Sequence, residues 1–443
     1  MEERFDVIVM GGGPGGAASA AYLAMNGLRV LVLEREKFPR FHIGESLLPA
    51  GWELWDRIGV TEAMEQAGFT VKQGIMFGMF NAPEDVKLLT AEYPEYFPRP
   101  YTYHVERARF DQIMLDNARQ RGAVVREEWS VKDIIMEGDT AVGVLAGPNG
   151  TSPKPIYCRT VVDATGRDCL IARKFGWRKP DPVLNKISHF THVRGGVRRD
   201  PNEVVTIGEV LPNSTTTDIH TIDGGWVWYI PLANDIVSVG VVLDAKVARS
   251  LGNSPQERFD RAVASCDKVR DWMAGAEQTM EMQTISNISY LNDRFVGNGF
   301  VLVGDSAMFV DPVFSAGVTL AIRAGIYASE CIVDGFRHDD LSAARFLPYE
   351  RRIKHPMYSI FKMIYNWYQI LDRKDSNNII SRARSIPLLR ERFVVLLSGG
   401  YDRMDLEQIL QAADEPPEND TLPPMLARAF AEAGRQGTDP AAA

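Results

Sequence analysis

The densest chemistry in the chain lies near its start, where Gly11-Gly12-Gly13-Pro14-Gly15-Gly16 falls between an apolar run and a stretch with helical spacing. Missing side chains in this GxGxxG pattern let a pyrophosphate approach the backbone, and the N-terminus of the following helix favours its negative charge. Glu34 stands roughly 20 residues further on, at the end of the next apolar run, where a carboxylate can accept hydrogen bonds from ribose hydroxyls. Gly11, Gly13, Pro14, Gly15, Gly16, Glu34 and the adjoining Arg35 therefore predict a dinucleotide site. FAD and NAD both carry a pyrophosphate and an adenosine ribose, so this pattern alone does not choose between them.

The elements that must position these residues follow from periodicity. Phe5 to Met10 reads as a buried strand, Ala17 to Asn26 as a helix and Arg29 to Leu33 as a second strand, which makes a βαβ unit. A strand near Tyr101 to Val105 and a helix over Arg109 to Arg121 come next, after a proline-bearing and aromatic connecting segment from Asn81 to Pro100. Short β-like runs with turns at Glu137-Gly138 and Pro148-Asn149-Gly150 precede a strand from Thr160 to Ala164 that returns to the nucleotide domain. Ser188 to Leu243 alternates apolar and polar residues, which predicts an antiparallel sheet against which a substrate would lie. Phe300 to Val303 and a helix from Ala316 to Gly335 bring the chain back once more. From Arg345 the pattern is helical; its aromatic stretch Tyr358 to Tyr368 is expected to pack on the main body, and the polar end to be mobile.

Composition narrows the classes. With 443 residues, 45% hydrophobic and 24% charged, the chain reads as a soluble globular protein of two intertwined domains. A net charge of −9 and a pI near 5.5 argue against nucleic acid, which calls for a basic face. Cys158, Cys169, Cys266 and Cys331 form no CxxC pair, so neither a metal site nor a disulfide framework is expected and a reduced, cytoplasmic setting fits. No apolar stretch of about 18 residues and no signal-like start appear, so neither export nor a membrane span is expected.

Later motifs select the cofactor. Val162-Asp163-Ala164-Thr165-Gly166-Arg167 resembles the second motif of flavoproteins, and Gly304-Asp305 followed by Asp311-Pro312 resembles the ribityl-binding segment of aromatic hydroxylases, halogenases and related reductases. An aspartate suits a chain of sugar hydroxyls because it accepts several hydrogen bonds at once. Val105-Glu106-Arg107 with Phe110-Asp111 resembles the opening of a helix that flanks the flavin in this group. The resemblance implies FAD, and adds Ser46, Arg107, Asp163, Gly166, Gly304, Asp305, Pro312 and Gly317 to the cofactor-binding residues.

Gly225-Trp226-Val227-Trp228-Tyr229-Ile230-Pro231 contains WxWxIP, and with it the span from Phe5 to Glu330 resembles the flavin-dependent halogenases. In that family the two indoles, here Trp226 and Trp228 ahead of Ile230 and Pro231, disfavour direct oxygen transfer to a substrate. Lys72 follows Gly44-Glu45-Ser46 where the family places its essential lysine, which can hydrogen-bond hypohalous acid or be halogenated itself, and burial moves a lysine between these forms. Asp311 to Gly317 resembles the halide segment, which implies that the N–H groups of Ala316 and Gly317 hold chloride or bromide. Phe314 stands where halogenases of free tryptophan carry a glutamate, so the resemblance points to phenols or pyrroles, in some relatives tethered to a carrier protein, with Phe314 in the substrate pocket. The arginines at 382, 384, 390 and 392 read either as a docking face for an acidic carrier or as a solvated helix surface.

The fold so implied is α/β. An FAD-binding, Rossmann-like domain of the aromatic hydroxylase type (1–80, 101–187, 288–340) is interleaved with an antiparallel-sheet substrate domain (81–100, 188–287), and a helical C-terminal region (341–443) follows. The function implied is that of a halogenase: FAD, reduced by a separate flavin reductase, reacts with oxygen and halide to give hypohalous acid, which Lys72 directs to an electron-rich aromatic ring. His104, His189 and His192 are candidates for the base that removes the ring proton, or are structural. An aromatic hydroxylase, an isoprenoid reductase and a flavin carrier without turnover are the alternatives; oxygen incorporated without halide would mark the first and hydrogenation of a prenyl chain the second. A carrier would not speed the reaction of reduced flavin with oxygen.

Overall fold

The computed structural model describes residues 4–79, 85–97, 99–197, 215–373 and 379–401. One half is built on a six-stranded sheet in the order Val296–Gly297, Phe300–Leu302, Thr160–Asp163, Val7–Met10, Val30–Leu33, Val124–Arg126. All pairings except the first are parallel. The four inner strands are buried along their whole length, which is why they read as continuous apolar runs rather than as alternation. The helix Pro14–Met25 leaves the first strand directly after Gly13 and packs on the long helix Gly317–His338.

The other half is a nine-stranded sheet. Its main path runs Glu277–Gln278, Lys186–Arg194, Ile236–Asp244, Gly225–Pro231, Thr215–Ile222, Thr70–Gly78, Val86–Leu89, with Gln283–Ser286 and Thr102–His104 paired alongside. Successive side chains point to opposite faces. Trp226, Trp228 and Ile230 therefore join the core shared with the nucleotide half, while Val227 and Tyr229 pack on Phe259 and Trp272 from the helices Pro255–Ala264 and Asp267–Trp272.

Two expectations are corrected here. The sequence places the whole span 1–80 in the nucleotide domain, yet Thr70–Gly78 pairs parallel with Thr215–Ile222 and antiparallel with Thr102–His104 in the larger sheet. Lys72 is thus a residue of the substrate-side sheet. Strand partners this far apart in sequence are set by tertiary packing, which local composition does not encode. The segment 81–100 does lie with the substrate-side sheet, but it is more than a connection: it adds a strand, Val86–Leu89, to that sheet and holds two 3-10 turns, Thr90–Glu92 and Pro94–Tyr96; its prolines mask a strand of four residues.

The register between Thr70–Gly78 and Thr215–Ile222 shifts beside Lys72, with Thr215 opposite Lys72 and Thr216 opposite Gly74. Such irregularities re-aim side chains next to binding sites. Of the C-terminal helices Ala343–Arg373, Ile379–Arg382 and Pro387–Leu397, the first packs on Gly317–His338 and reaches Trp226 of the larger sheet through Tyr368, and the last packs on Val86–Leu89. The aromatic stretch packs as expected: Trp367 is buried, with ring centroids 5.6 Å from Phe77 and 6.2 Å from Phe314. The polar tail beyond residue 401 lies outside the described residues. Among the described residues no helix is long and apolar enough to cross a membrane, and no group of three or more His, Cys, Asp or Glu is arranged to hold a metal ion.

Candidate active site

A cleft of about 790 Å³ is lined by the glycine turn, Glu34, the Gly304-Asp305 corner and, from the larger sheet, Phe190, Trp226 and Trp228. It opens at the carboxyl ends of the parallel strands, where open α/β sheets bind their ligands, and its size suits a large cofactor. The glycine turn is sterically obligatory. A Cβ on Gly16 would lie 2.0 Å from the Gly11 carbonyl oxygen, and one on Gly11, whose φ is +105°, would lie 2.3 Å from that of Ala164. Glu34 is buried and accepts from the amides of Gly12 at 2.6 Å and Glu36 at 2.8 Å, so it also ties the glycine turn to the end of its strand. Arg35 sits exposed on the rim, paired with Asp168.

Asp305 fits a sugar-hydroxyl acceptor. Its half-buried carboxylate takes no hydrogen bond from the described residues, and burial pushes it up to about 6 against the pull of Arg107 and Arg167. Gly166, Gly304, Pro312 and Gly317 also line the cleft. Asp163 does not. Its oxygens accept from the Thr165 amide and hydroxyl and from the Ile171 amide, so it holds the turn after its strand rather than facing a ligand. Arg107 lines the cleft, but its guanidinium forks onto Asp111 at 2.7 and 2.9 Å and donates to the Ile43 carbonyl at 2.6 Å. It therefore braces the loop ahead of Ser46. Burial opposes the Asp111 charge, but Arg107 and Arg40 overcome it and hold the carboxyl below its ordinary value.

Lys72 lies one hydroxyl behind the cleft wall. It is 4% exposed, and its Nζ donates to Ser46 Oγ and to the Leu47 carbonyl, each at 2.8 Å. Burial brings its pKa from 10.5 down to about 7. Ser46, which lines the cleft, is also bonded to Thr217 Oγ1 at 2.7 Å and receives Ser315 Oγ at 3.1 Å. Thr217 continues to His104 Nε2 at 2.9 Å, and His104 Nδ1 meets the Pro231 carbonyl at 3.0 Å.

His104 Nδ1 also meets Thr215 Oγ1 at 3.1 Å; in a neutral His104 the carbonyl, which can only accept, places the proton on Nδ1, and Nε2 then accepts from Thr217. Thr217 then accepts from Ser46, leaving Ser46 as an acceptor toward Lys72. A neutral Lys72 amine accordingly uses both N–H groups on Ser46 and Leu47 and keeps its lone pair free.

The tryptophan pair faces the same cleft, with ring centroids 5.9 Å apart. Gly240 makes room for it, since a Cβ there would lie 2.2 Å from Trp228 Cζ2. Trp228 Nε1 donates to Ser238 Oγ at 3.1 Å. Trp226 Nε1 donates to the Tyr368 hydroxyl at 3.1 Å, which donates to Asp311 Oδ2 at 2.7 Å; Asp311 Oδ1 accepts from the Val313 amide. One tyrosine from the C-terminal helix thus joins the indole strand to the start of the halide-like segment. Burial raises Asp311 to about 6. Ile230 lines the cleft; Pro231 does not, and contributes its carbonyl to His104.

Ala316 precedes the helix Gly317–His338, whose first N–H groups have no partners within the helix. Ser315 has a φ of +56° and lines the cleft. Phe314 is buried and does not line the cleft; its ring packs at 6.2 Å from that of Trp367, at 73° to it, beside the C-terminal helix.

The histidines separate. His104 belongs to the lysine network. His189 bonds Thr284 through Nδ1, has a buried Nε2 without a partner and is held near 4 by burial and Arg258. His192 meets Glu45 Oε1 at 2.8 Å; burial opposes its charge, and Glu45 holds it above the ordinary value. The four arginines that read either as a docking face or as a solvated surface are half-buried: Arg390 is bound to Glu92 at 2.6 Å, and Arg382, Arg384 and Arg392 are engaged as well. Thr217 and Tyr368 carry no motif that marks them in the sequence.

A family model described as tryptophan halogenase matches residues 6–93 and 87–384. The 1H-pyrrole-2-carbonyl-(peptidyl-carrier protein) chlorinase of Pseudomonas fluorescens is 32% identical over 93% of this chain and 89% of its own length. The corresponding brominase of Pseudoalteromonas luteoviolacea is 30% identical over 75% and 79%. The solved structure of the myxobacterial chondrochloren halogenase CndH, described as a variant of FAD-dependent halogenases, superposes with a TM-score of 0.77 at 31% identity, covering 93% of this chain and 96% of that one. The chain belongs to the tryptophan halogenase family, and is an FAD-dependent halogenase.

Proposed function

We propose that the protein halogenates a neutral, electron-rich ring, phenolic or pyrrolic, with the oxidant passed from the cleft to the ring by Lys72. The observation that carries this is the lysine itself: buried, with its pKa brought down to about 7 and its Nζ held by Ser46 on the cleft wall and by the Leu47 carbonyl, so that the neutral form of the amine has a lone pair to spare. That lone pair can accept the proton of hypohalous acid or be halogenated in its place.

FAD fits the residues present. The glycine turn would hold the pyrophosphate, Glu34 the ribose, and Asp305 with Gly304 the ribityl chain, while the Ala316 and Gly317 amides would face a halide. Bound in reduced form, the flavin supplies hypohalous acid from oxygen and chloride or bromide. Trp226 and Trp228 have both indole N–H groups engaged, so they offer the cleft only ring surface. The carrier-bound pyrroles named for two relatives support a tethered substrate, and the reading includes a separate flavin reductase. Four free cysteines accord with a cytoplasmic setting.

The test is a mass-spectrometric assay with FAD, a flavin reductase, NADH, oxygen and bromide, offering phenols and pyrroles free and carrier-bound. Halogenated product from the parent and none from Lys72→Ala is the expected outcome. Hydroxylated product formed without halide would overturn the reading.

A further inference from the structure

Lys72 and His104 stand at the two ends of an unbroken run of hydroxyls. Nζ bonds Ser46 Oγ at 2.8 Å, Ser46 Oγ bonds Thr217 Oγ1 at 2.7 Å, and Thr217 Oγ1 bonds His104 Nε2 at 2.9 Å. All four residues are buried, and His104 has no exposed surface. Ser46 and Thr217 line the cleft, whereas Lys72 and His104 lie behind them. The backbone holds the run together: His104 forms a bridge with Ser46, and its strand pairs with that of Lys72.

A hydroxyl both donates and accepts, so each link can turn about. With a neutral His104 the run points from the lysine to the histidine. Reversed, Nε2 donates to Thr217, Thr217 to Ser46 and Ser46 to Nζ, while Nδ1 keeps its proton toward the Pro231 carbonyl. The two arrangements differ by one proton carried from Nζ to Nε2, and no heavy atom has to move between them. A backbone amide or carbonyl in either middle place would block the transfer, because the first only donates and the second only accepts. The Leu47 carbonyl, which also holds Nζ, is such a dead end.

We infer that His104 stores a proton for Lys72, taking it through Ser46 and Thr217 so that the amine can receive the halogen, and returning it so that the halogen can leave. This rests on the halogenase reading above, and within it assigns the halogen to the lysine nitrogen. An ammonium has no lone pair for a halogen, and a neutral halogenated amine gives one up poorly, so a proton must leave first and come back afterwards. The neutral amine forms the nitrogen–halogen bond as the oxygen–halogen bond of hypohalous acid breaks, and the hydroxide departs as water with one amine proton. The proton held on His104 then returns to the halogenated nitrogen. The ring carbon takes the halogen, the electron pair of the broken bond stays on nitrogen, and the ring proton passes to the amine and on to His104. One ring C–H and one hypohalous acid give one halogenated ring and one water, and both residues end as they began. The stored proton leaves Nζ toward Ser46 on the cleft wall, so the lone pair it uncovers faces the side from which the oxidant comes.

The experiment compares Thr217→Val, which removes the middle hydroxyl and leaves both ends of the run in place, with Thr217→Ser, which keeps it. In the free protein, nitrogen-15 NMR of labelled histidines follows protonation of His104 Nε2 between about pH 5 and pH 8, with His104→Gln to assign the signal. In the FAD-loaded protein, with bromide, a flavin reductase and a phenol or pyrrole, kcat and KM are read by mass spectrometry in H2O and in D2O. Nε2 of the parent is expected to take up a proton within that range. Thr217→Val should lower kcat about a hundredfold, the lower end of what a positioned proton transfer contributes, with KM unchanged and a larger solvent isotope effect, because the proton now limits the rate; Thr217→Ser recovers all three. An Nε2 that stays unprotonated throughout would overturn the inference, as would an unchanged kcat in Thr217→Val. So would a fall in kcat with no change in isotope effect, which would mean that the hydroxyl only holds the network in shape. If the parent yields no halogenated product, the function reading fails while the NMR titration still decides whether His104 holds a proton. His104→Gln stands in should the valine variant not fold.

Discussion

Replacing Lys72 by methionine keeps an unbranched side chain and removes the amine, and its effect on stability should depend on pH. Burial takes the lysine from 10.5 to about 7, a difference worth about 5 kcal/mol in the free energy of its charged form. Between those values the unfolded chain holds a proton that the folded chain has released, so stability of the parent rises with pH across that window. Below pH 7 both states are protonated and the full cost of the buried charge is present. Methionine removes this term, and also removes the hydrogen bonds to Ser46 and Leu47, which contribute nearly equally at every pH.

The measurable quantity is therefore the change with pH of the stability difference between variant and parent. Working through the two protonation equilibria, that difference should move by about 3 kcal/mol in favour of Lys72→Met as pH falls from 9.5 to 7. Urea unfolding followed by tryptophan fluorescence at four or five pH values would read it. A difference that stays flat across the range would show that the amine keeps an ordinary pKa in the folded protein, and the argument for a neutral lysine would fall with it.

Gly16→Ala places a Cβ 2.0 Å from the Gly11 carbonyl, and should weaken FAD binding by at least about tenfold in a flavin fluorescence titration; an unchanged affinity would mean that the turn is not the pyrophosphate site. Tyr368→Phe leaves both Trp226 Nε1 and Asp311 Oδ2 without their partner, at a cost of about 2–3 kcal/mol in urea unfolding at pH 8. Because Asp311 is raised to about 6, burial of its charge destabilises the fold above that pH; the tyrosine bond offsets this, so the loss should shrink at pH 5, and a loss equal at both would count against it. Gly240→Ala overpacks Trp228 and should cost about 1–3 kcal/mol by calorimetry, with much of the loss recovered in the double variant with Trp228→Phe; strict additivity would place the strain elsewhere.

The nucleotide half was readable because its signals are local: a glycine turn, a strand on either side, and a carboxylate at a fixed distance along the chain. Lys72 was found through a motif neighbourhood, but its place in the larger sheet was not, since that depends on a parallel pairing with Thr215–Ile222 and a register shift beside it. Side-chain roles were least legible. Arg107 and Asp163 sit in recognisable motifs, yet their polar atoms are spent on Asp111, on loop carbonyls and on neighbouring amides. Phe314 packs on Trp367, more than fifty positions away along the chain, which its local motif does not reveal. Tyr368 looked like packing, and its ring does pack; only its hydroxyl, reaching residues 57 and 142 positions distant, gives it a second task.

That hydroxyl bears on how such enzymes can be recombined. Trp226, Tyr368 and Asp311 come from three separate stretches of chain, and the tryptophan and the aspartate each depend on the tyrosine between them for a buried hydrogen bond. The C-terminal region is consequently a poor exchangeable cassette. A chimera that takes its last hundred residues from a relative, in search of a new substrate range, would have to bring a hydroxyl to this point or replace the tryptophan and the aspartate along with it.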